Sequence, residues 1–468
     1  MTAVNSSENL AQNREAVSAP AARRASGWKL ALLLLIALGV RLALVPVRLN
    51  RPDRRDYIGS AQKIVRFGLA SFYDPTEGDR ANREAPVPYP PIPVYFYAIA
   101  GAAYQTMFDP SFIEIRRWRD VPVDSLVLNY LIEIPIFVFE LLLAALLFWF
   151  VRRRHGDRQA WLCAGLYAFN PAVLLDGAMW AQPDAIHCFF LALAVVFLLE
   201  RRPALCLPAL ALTLLAKPQP AVIVPVMLLI ALLNATTRQR LQSMLATAAA
   251  SVVVLLPFLL TNPHAIVNMI RIATHAHPYV SLNAHNLWWL VTTLQGLNPR
   301  WLSDHAPLFY GLSYFAAGLL IFTGFYVVIV VKTLRTPLAR LTAEPFAFIA
   351  LIFFVFAVRM HENHLVQALP LLLLTGLTLR HQKVVFALLT LAVFANLLLH
   401  THEITADAAS PLLQSLRMTN AVLHLATLVY WSRHVLKGGI TDLRGAIHAG
   451  VSLYRGERAD SSLSEPPV

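Results

Sequence analysis

The stretch LVLNYLIEIPIFVFELLLAALLFWFVRRR, Leu126–Arg154, decides the class of fold. Up to Val151 it is almost wholly apolar, and it then stops on three consecutive arginines. An α-helix needs about 20 such residues to cross the hydrocarbon core of a bilayer. Three further blocks share this character: Trp28 to Val47, Leu308 to Val331 and Val384 to Leu399. The chain has 468 residues, 57% hydrophobic and 14% charged, whereas soluble domains carry roughly 25% charged residues. Too little polar surface is left to cover a globule in water. The expected fold class is therefore all-α, a polytopic transmembrane helical protein.

Working outward by apolar length gives about twelve membrane segments. They begin near Trp28, Val127, Trp161, Ala185, Pro203, Pro220, Leu241, Leu308, Phe346, Leu365, Val384 and Leu412. Pro203 to Ala216 and Pro220 to Leu233 are short, and read as tilted helices or as half-helices broken at Pro218. A membrane tolerates such a break where protein or a cavity satisfies the freed backbone groups. Residues 1–27 read as a disordered cytoplasmic tail, 28–436 as the transmembrane domain and 437–468 as a second tail. The first block is too long for a signal-peptide core of about 7–15 residues, and is read as an uncleaved first span.

The basic clusters test this arrangement. Arg152-Arg153-Arg154, Arg201-Arg202, Arg238/Arg240, Lys332/Arg335/Arg340, Arg380/Lys383 and Arg433/Lys437 fall in alternate connections. If both termini are cytoplasmic, every cluster lies inside, as the positive-inside rule requires. The net charge of +12 is thus explained by topology and gives no support to nucleic-acid binding, which needs a concentrated basic face. Cys163, Cys188 and Cys206 sit in or beside apolar blocks and form no disulfide framework.

The connections on the other side gather the polar groups. The first, 48–125, is much the longest; it carries Asp53, Asp56, Asp74 and Glu84 and the run Pro86-Val87-Pro88-Tyr89-Pro90-Pro91-Ile92-Pro93. A carboxylate held at the membrane surface can take a proton from an attacking hydroxyl. As solvated loop residues, Asp53 and Asp56 would only pair weakly with Arg54 and Arg55. Asp176, Trp180, Gln182 and Asp184 are the side-chain types that hold sugar hydroxyls and stack on sugar rings. Trp180 and Asp184 would share a face if a helix continued through them. Lys217 either snorkels to the interface or neutralises a phosphate as a point charge. Arg359, His361 and Glu362 stand between two apolar segments with little slack. They either bind an anion, Arg359 in bidentate fashion, or close a helix hairpin with an Arg359–Glu362 salt bridge. His275-Ala276-His277, with His264 and His285, matches no standard zinc spacing. No phosphate-cradling glycine loop is present. No cofactor is expected, and no metal is indicated.

Several of these pieces occur together in one family. The chain resembles the GT-C superfamily of membrane glycosyltransferases, in particular lipid-linked-sugar mannosyl- and glucosyltransferases and their bacterial relatives. Asp56-Tyr57 followed by Ala61, Gly68 and Phe72-Tyr73 is similar to the family's acidic first-loop motif. Tyr89-Pro90-Pro91-Ile92-Pro93-Val94-Tyr95 resembles its entry into a membrane-surface helix. Asn170-Pro171, Asp176 and Trp180-Ala181-Gln182-Pro183-Asp184 resemble a segment that usually has glycine where Ala181 stands. Leu215-Ala216-Lys217-Pro218-Gln219, Asn283-Ala284-His285-Asn286-Leu287-Trp288-Trp289 and Arg359-Met360-His361-Glu362 complete the series.

The resemblance implies a GT-C-like fold in a bacterial plasma membrane with an extracytoplasmic site. It implies a polyprenyl-phosphate-linked sugar donor, mannose or glucose, reacting with inversion. Asp56 would be the general base. Arg359, His361, Glu362 and Lys217, with Trp180, Gln182 and Asp184, would bind substrate. The acceptor would be a glycan, lipid-linked or protein hydroxyl, and the surrounding partner is membrane lipid. The competing reading is a transporter or flippase of lipid-linked glycans, which calls for ionisable groups near the midplane and paired broken helices.

Overall fold

A computed structural model describes residues 27–69, 72–73, 89–275, 277–405 and 410–439. The tail 1–26, most of the tail 437–468, and Asp74 and Glu84 lie outside the described residues. The all-α class holds. Among the described residues the only named sheet is a small hairpin, β1 (Pro307–Phe309) and β2 (Leu312–Ser313).

The first apolar block forms α1, Gly27–Val47. The connection that follows is not an open loop. It contains two helices, α2 (Arg51–Phe67) and α3 (Pro91–Met107), packed on one another. Asn50 caps α2 by accepting from Asp53 N (3.4 Å), and Pro91 opens α3 at the position where a missing N–H costs nothing. The long block then forms α4, Leu126–His155. Its return helix α5, Asp157–Ala168, is followed by a short turn and a π-helical turn at Leu175–Met179.

Of the two readings of the short segments, the break at Pro218 is the one observed. After α6 (Asp184–Leu199), α7 (Pro203–Ala216) stops at an extended Lys217, and α8 (Val224–Leu233) resumes beyond a 3₁₀ turn at Gln219–Val222. Next come α9 (Thr237–Thr261), the amphipathic α10 (Ala265–His275), α11 (Leu287–Leu294) and α12 (Tyr314–Arg335). The chain ends with α13 (Glu344–Phe356), α14 (Ala368–Leu373), α15 (Arg380–Thr405) and α16 (Pro411–Val435).

The count of twelve spans is not confirmed. Among the described residues six helices are long and apolar enough to cross a membrane: Gly27–Val47, Leu126–His155, Asp157–Met179, Thr237–Leu260, Tyr314–Arg335 and Arg380–Thr401. The others are cut short or diluted. Pro218 divides one pair, α14 is a brief helix in a run of turns, and α16 carries buried Arg417, Asn420 and His424. The basic ends nevertheless gather together. Arg154 donates to Leu199 O (2.6 Å) and Lys332 to Lys437 O (2.8 Å), while Gly376 lies against His155.

Two ion pairs lie inside the protein on α4. Arg41 of α1 pairs with Glu140, and Arg54 of α2 pairs with Glu133, with every side chain at most 2% exposed. Each arginine also grips backbone around the π-helical turn: Arg41 donates to Ala168 O (2.9 Å) and Arg54 to Met179 O (2.9 Å). Glu140 lies against Gly177, leaving no room there for a Cβ. These contacts fix α2 and the segment leading into Trp180 against the same span.

Candidate active site

At the end of the bundle away from the basic clusters lies a cavity of about 520 Å³. Helix α2 contributes Asp53, Asp56 and Tyr57 to its lining; the broken α7–α8 link contributes Lys217 and Gln219; the link after α13 contributes Arg359, His361, Glu362 and His364. Tyr89, Gln182, His277 and His400 complete much of the wall. Asp56, Lys217, Gln182, Arg359, His361 and Glu362 are thus brought together from connections far apart in the chain.

Trp180 and Asp184 stand behind that wall, both fully buried. No helix continues through them. Ala181 has φ +69°, so the chain turns left-handed there, and a new helix starts at Asp184. A non-glycine residue in that conformation costs roughly 1–2 kcal/mol, at the position where the family resemblance leads one to expect glycine. The turn aims two donors at one carboxylate. Trp180 Nε1 donates to Asp53 Oδ2 (2.8 Å), and Gln182 Nε2 donates to the same oxygen (2.9 Å). Tyr89 donates its hydroxyl to Gln182 Oε1 (3.1 Å), which fixes the amide orientation. Trp180 also stacks on His400, with ring centroids 5.1 Å apart.

Asp53 Oδ2 is therefore held by two oriented donors. Burial raises its pKa above the usual aspartate value, against the lowering effect of the Trp180 hydrogen bond and of nearby His400 and Lys217. Lys217 forms an ion pair with Asp184, which also lies within 3.6 Å of His187. Its ammonium sits 5.5 Å from the centre of the Tyr89 ring.

The hairpin salt bridge between Arg359 and Glu362 is replaced by another pair. Arg359 Nε donates to the fully buried Asp304 Oδ2 (2.6 Å), because Arg359 has φ +61° and is pulled back toward Tyr279 O through its own N–H (3.2 Å). Glu362 instead lies 3.9 Å from His361. Burial pushes the Glu362 carboxyl up to about 7 and holds His361 down to about 3, the latter helped by the charges of His277 and Lys217. At neutral pH His361 is a neutral hydrogen-bonding group.

Of the histidines close together in sequence, His264, His277 and His285 lie apart. His277 reaches the cavity, 5.6 Å from the His361 ring. His285 is buried elsewhere, its backbone N–H donating to Asn396 Oδ1 (2.8 Å), and His264 is exposed. Among the described residues no group of three or more histidine, cysteine or acidic side chains is arranged to hold a metal ion.

Sequence reasoning missed Tyr89, Gln219 and His400 as wall residues, and Arg41, Arg54, Glu133 and Glu140 as the frame. The acidic pair had a readable signal, since carboxylates inside an apolar span are expensive and demand partners. His400 had none, because only the fold brings the end of α15 to Trp180.

Residues 129–264 match the family model for dolichyl-phosphate-mannose-protein mannosyltransferase. The match is confined to that stretch. It covers α4 through α9 and includes Trp180, Gln182, Asp184 and Lys217, in agreement with the resemblance read from the motifs. Among curated proteins, none matches the chain. Among solved structures, ArnT from Cupriavidus metallidurans bound to undecaprenyl phosphate is similar at 16% identity and a TM-score of 0.45, covering 92% of this chain and 80% of that one. Its apo form gives 15% identity and a TM-score of 0.46, over 89% and 78% of the two chains.

Proposed function

We propose that this GT-C membrane protein transfers a hexose, mannose or glucose, from a polyprenyl-phosphate carrier to an acceptor hydroxyl on the extracytoplasmic face. The observation that carries the proposal is a single cavity, at one end of a membrane bundle, holding an oriented carboxylate together with Lys217, Arg359 and His361. A general base must be fixed within reach of the proton it takes, and cationic or N–H donors must face the charge that develops on the leaving group.

In this reading Asp53 is the base. Motif spacing favoured Asp56, which lines the same cavity; the two hydrogen bonds that orient Asp53 Oδ2 support the neighbour instead. The acceptor O–H proton passes to the Asp53 carboxylate as its oxygen bonds to the anomeric carbon. The bond from that carbon to phosphate breaks, with inversion, and polyprenyl phosphate leaves with the electron pair. Lys217 and Arg359 face the growing phosphate charge, and neutral His361 donates a hydrogen bond. Asp184 and Asp304 hold the two cations in place.

Purified protein in nanodiscs, offered labelled polyprenyl-phosphate mannose or glucose and candidate acceptors, should release polyprenyl phosphate and yield a glycosylated product by mass spectrometry. Movement of intact lipid-linked sugar across the bilayer without phosphate release would reject the transfer reaction.

A further inference from the structure

The connection between α11 and α12 contains a group of aromatic residues that the site does not use. Tyr310 is 94% exposed, Trp301 73% and Phe309 66%, with Leu312 also exposed. A soluble surface rarely leaves such side chains together in water. The hairpin is built to project them. Phe309 pairs with Leu312, and the two residues between, Tyr310 (φ +45°) and Gly311 (φ +80°), form the tight left-handed turn that suits a two-residue hairpin.

We propose that this tip, with Phe309 and Tyr310 in ring contact at 4.3 Å, inserts into the lipid headgroup and upper acyl region at the cavity end of the molecule. Continuity with a membrane span identifies the occupant. Ser313 ends β2 and caps α12, its hydroxyl accepting from Ala316 N (3.2 Å), so the span starts at Tyr314 with no intervening linker. Leu319 and Leu320, one to two turns on, face outward and are exposed. The tip is therefore held at the depth where α12 leaves the hydrocarbon. Tyrosine and tryptophan are favoured there because their rings are apolar and their O–H or N–H groups reach water.

The same segment reaches the cavity. Phe315 N donates to Asp304 O (2.8 Å), and Asp304 Oδ2 accepts from Arg359 Nε (2.6 Å). Insertion of the tip sets the depth of Arg359 relative to the lipid surface.

The test uses the full chain in nanodiscs with Tyr310→Cys carrying a polarity-sensitive fluorophore. Cys163, Cys188 and Cys206 are buried, which favours selective labelling; Leu312→Cys serves as a second position should the first variant fold poorly. Blue-shifted emission, strong quenching by lipids spin-labelled near the headgroup and several-fold weaker quenching by aqueous iodide are expected. Strong iodide quenching without lipid quenching would show a solvated loop. Protection from both quenchers would show a protein partner on the tip. Either result would overturn the proposal.

Discussion

Asp53 experiences two opposing influences. Burial raises its pKa, while the indole N–H of Trp180 pulls it down. A general base works only when deprotonated, so turnover should rise with pH along an acidic limb that reports this carboxyl. Trp180→Phe removes the hydrogen bond that favours the charged form and keeps an aromatic ring beside His400. The limb should then move to higher pH in a kcat/KM profile; an unmoved limb would detach Trp180 from the titrating group. Substitution separates the two aspartates. A general base contributes about 10²–10⁴-fold to rate, so Asp53→Asn should lose turnover on that scale, with Asp56→Asn milder. The reverse ordering, measured as initial rates on matched protein, would return the base to Asp56.

At the scale of elements, the orientation of Asp53 depends on how α2 is fixed to α4. Arg54, the next residue, pairs with Glu133 and donates to Asn129 Oδ1 (2.6 Å) and Met179 O. Removing one partner of a buried pair leaves an uncompensated charge, at a cost of about 3–5 kcal/mol. Arg54→Ala should therefore lower the thermal midpoint markedly in detergent or nanodiscs. Arg54→Met combined with Glu133→Leu should recover much of that loss, because apolar replacement of a whole buried pair is often neutral or stabilising. If the single variant melted like the parent, the pair would not be holding these helices. The left-handed turn at Ala181 is the second device at this scale. It follows the helix end at Met179 and lets Gln182 reach the same carboxylate oxygen as Trp180.

For the whole molecule, the basic ends gather opposite the cavity, and on the positive-inside rule we propose that this end is cytoplasmic. Cysteines placed at the exposed positions Glu114 and Arg238 should differ in their reaction with an impermeant thiol reagent on intact cells. Glu114→Cys should label and Arg238→Cys should not; the opposite pattern would invert the protein in its membrane. Much of this organisation is legible in the chain. An unbroken apolar block as long as Leu126–Val151 satisfies its own backbone in lipid as a helix, and arginines at alternate ends indicate which ends belong together. Local chemistry was legible too, in the proline break at Pro218 and the polar character of the connections around Asp53, Lys217 and Arg359. What the chain could not disclose were the partners. Arg359 pairs with Asp304 across 55 positions and Trp180 with Asp53 across 127, and no local pattern encodes such a meeting. Hydrophobic periodicity specifies which residues leave water, whereas the meeting of the Asp53 carboxylate with two fixed donors depends on how the helices pack. Only the tertiary structure brings them together.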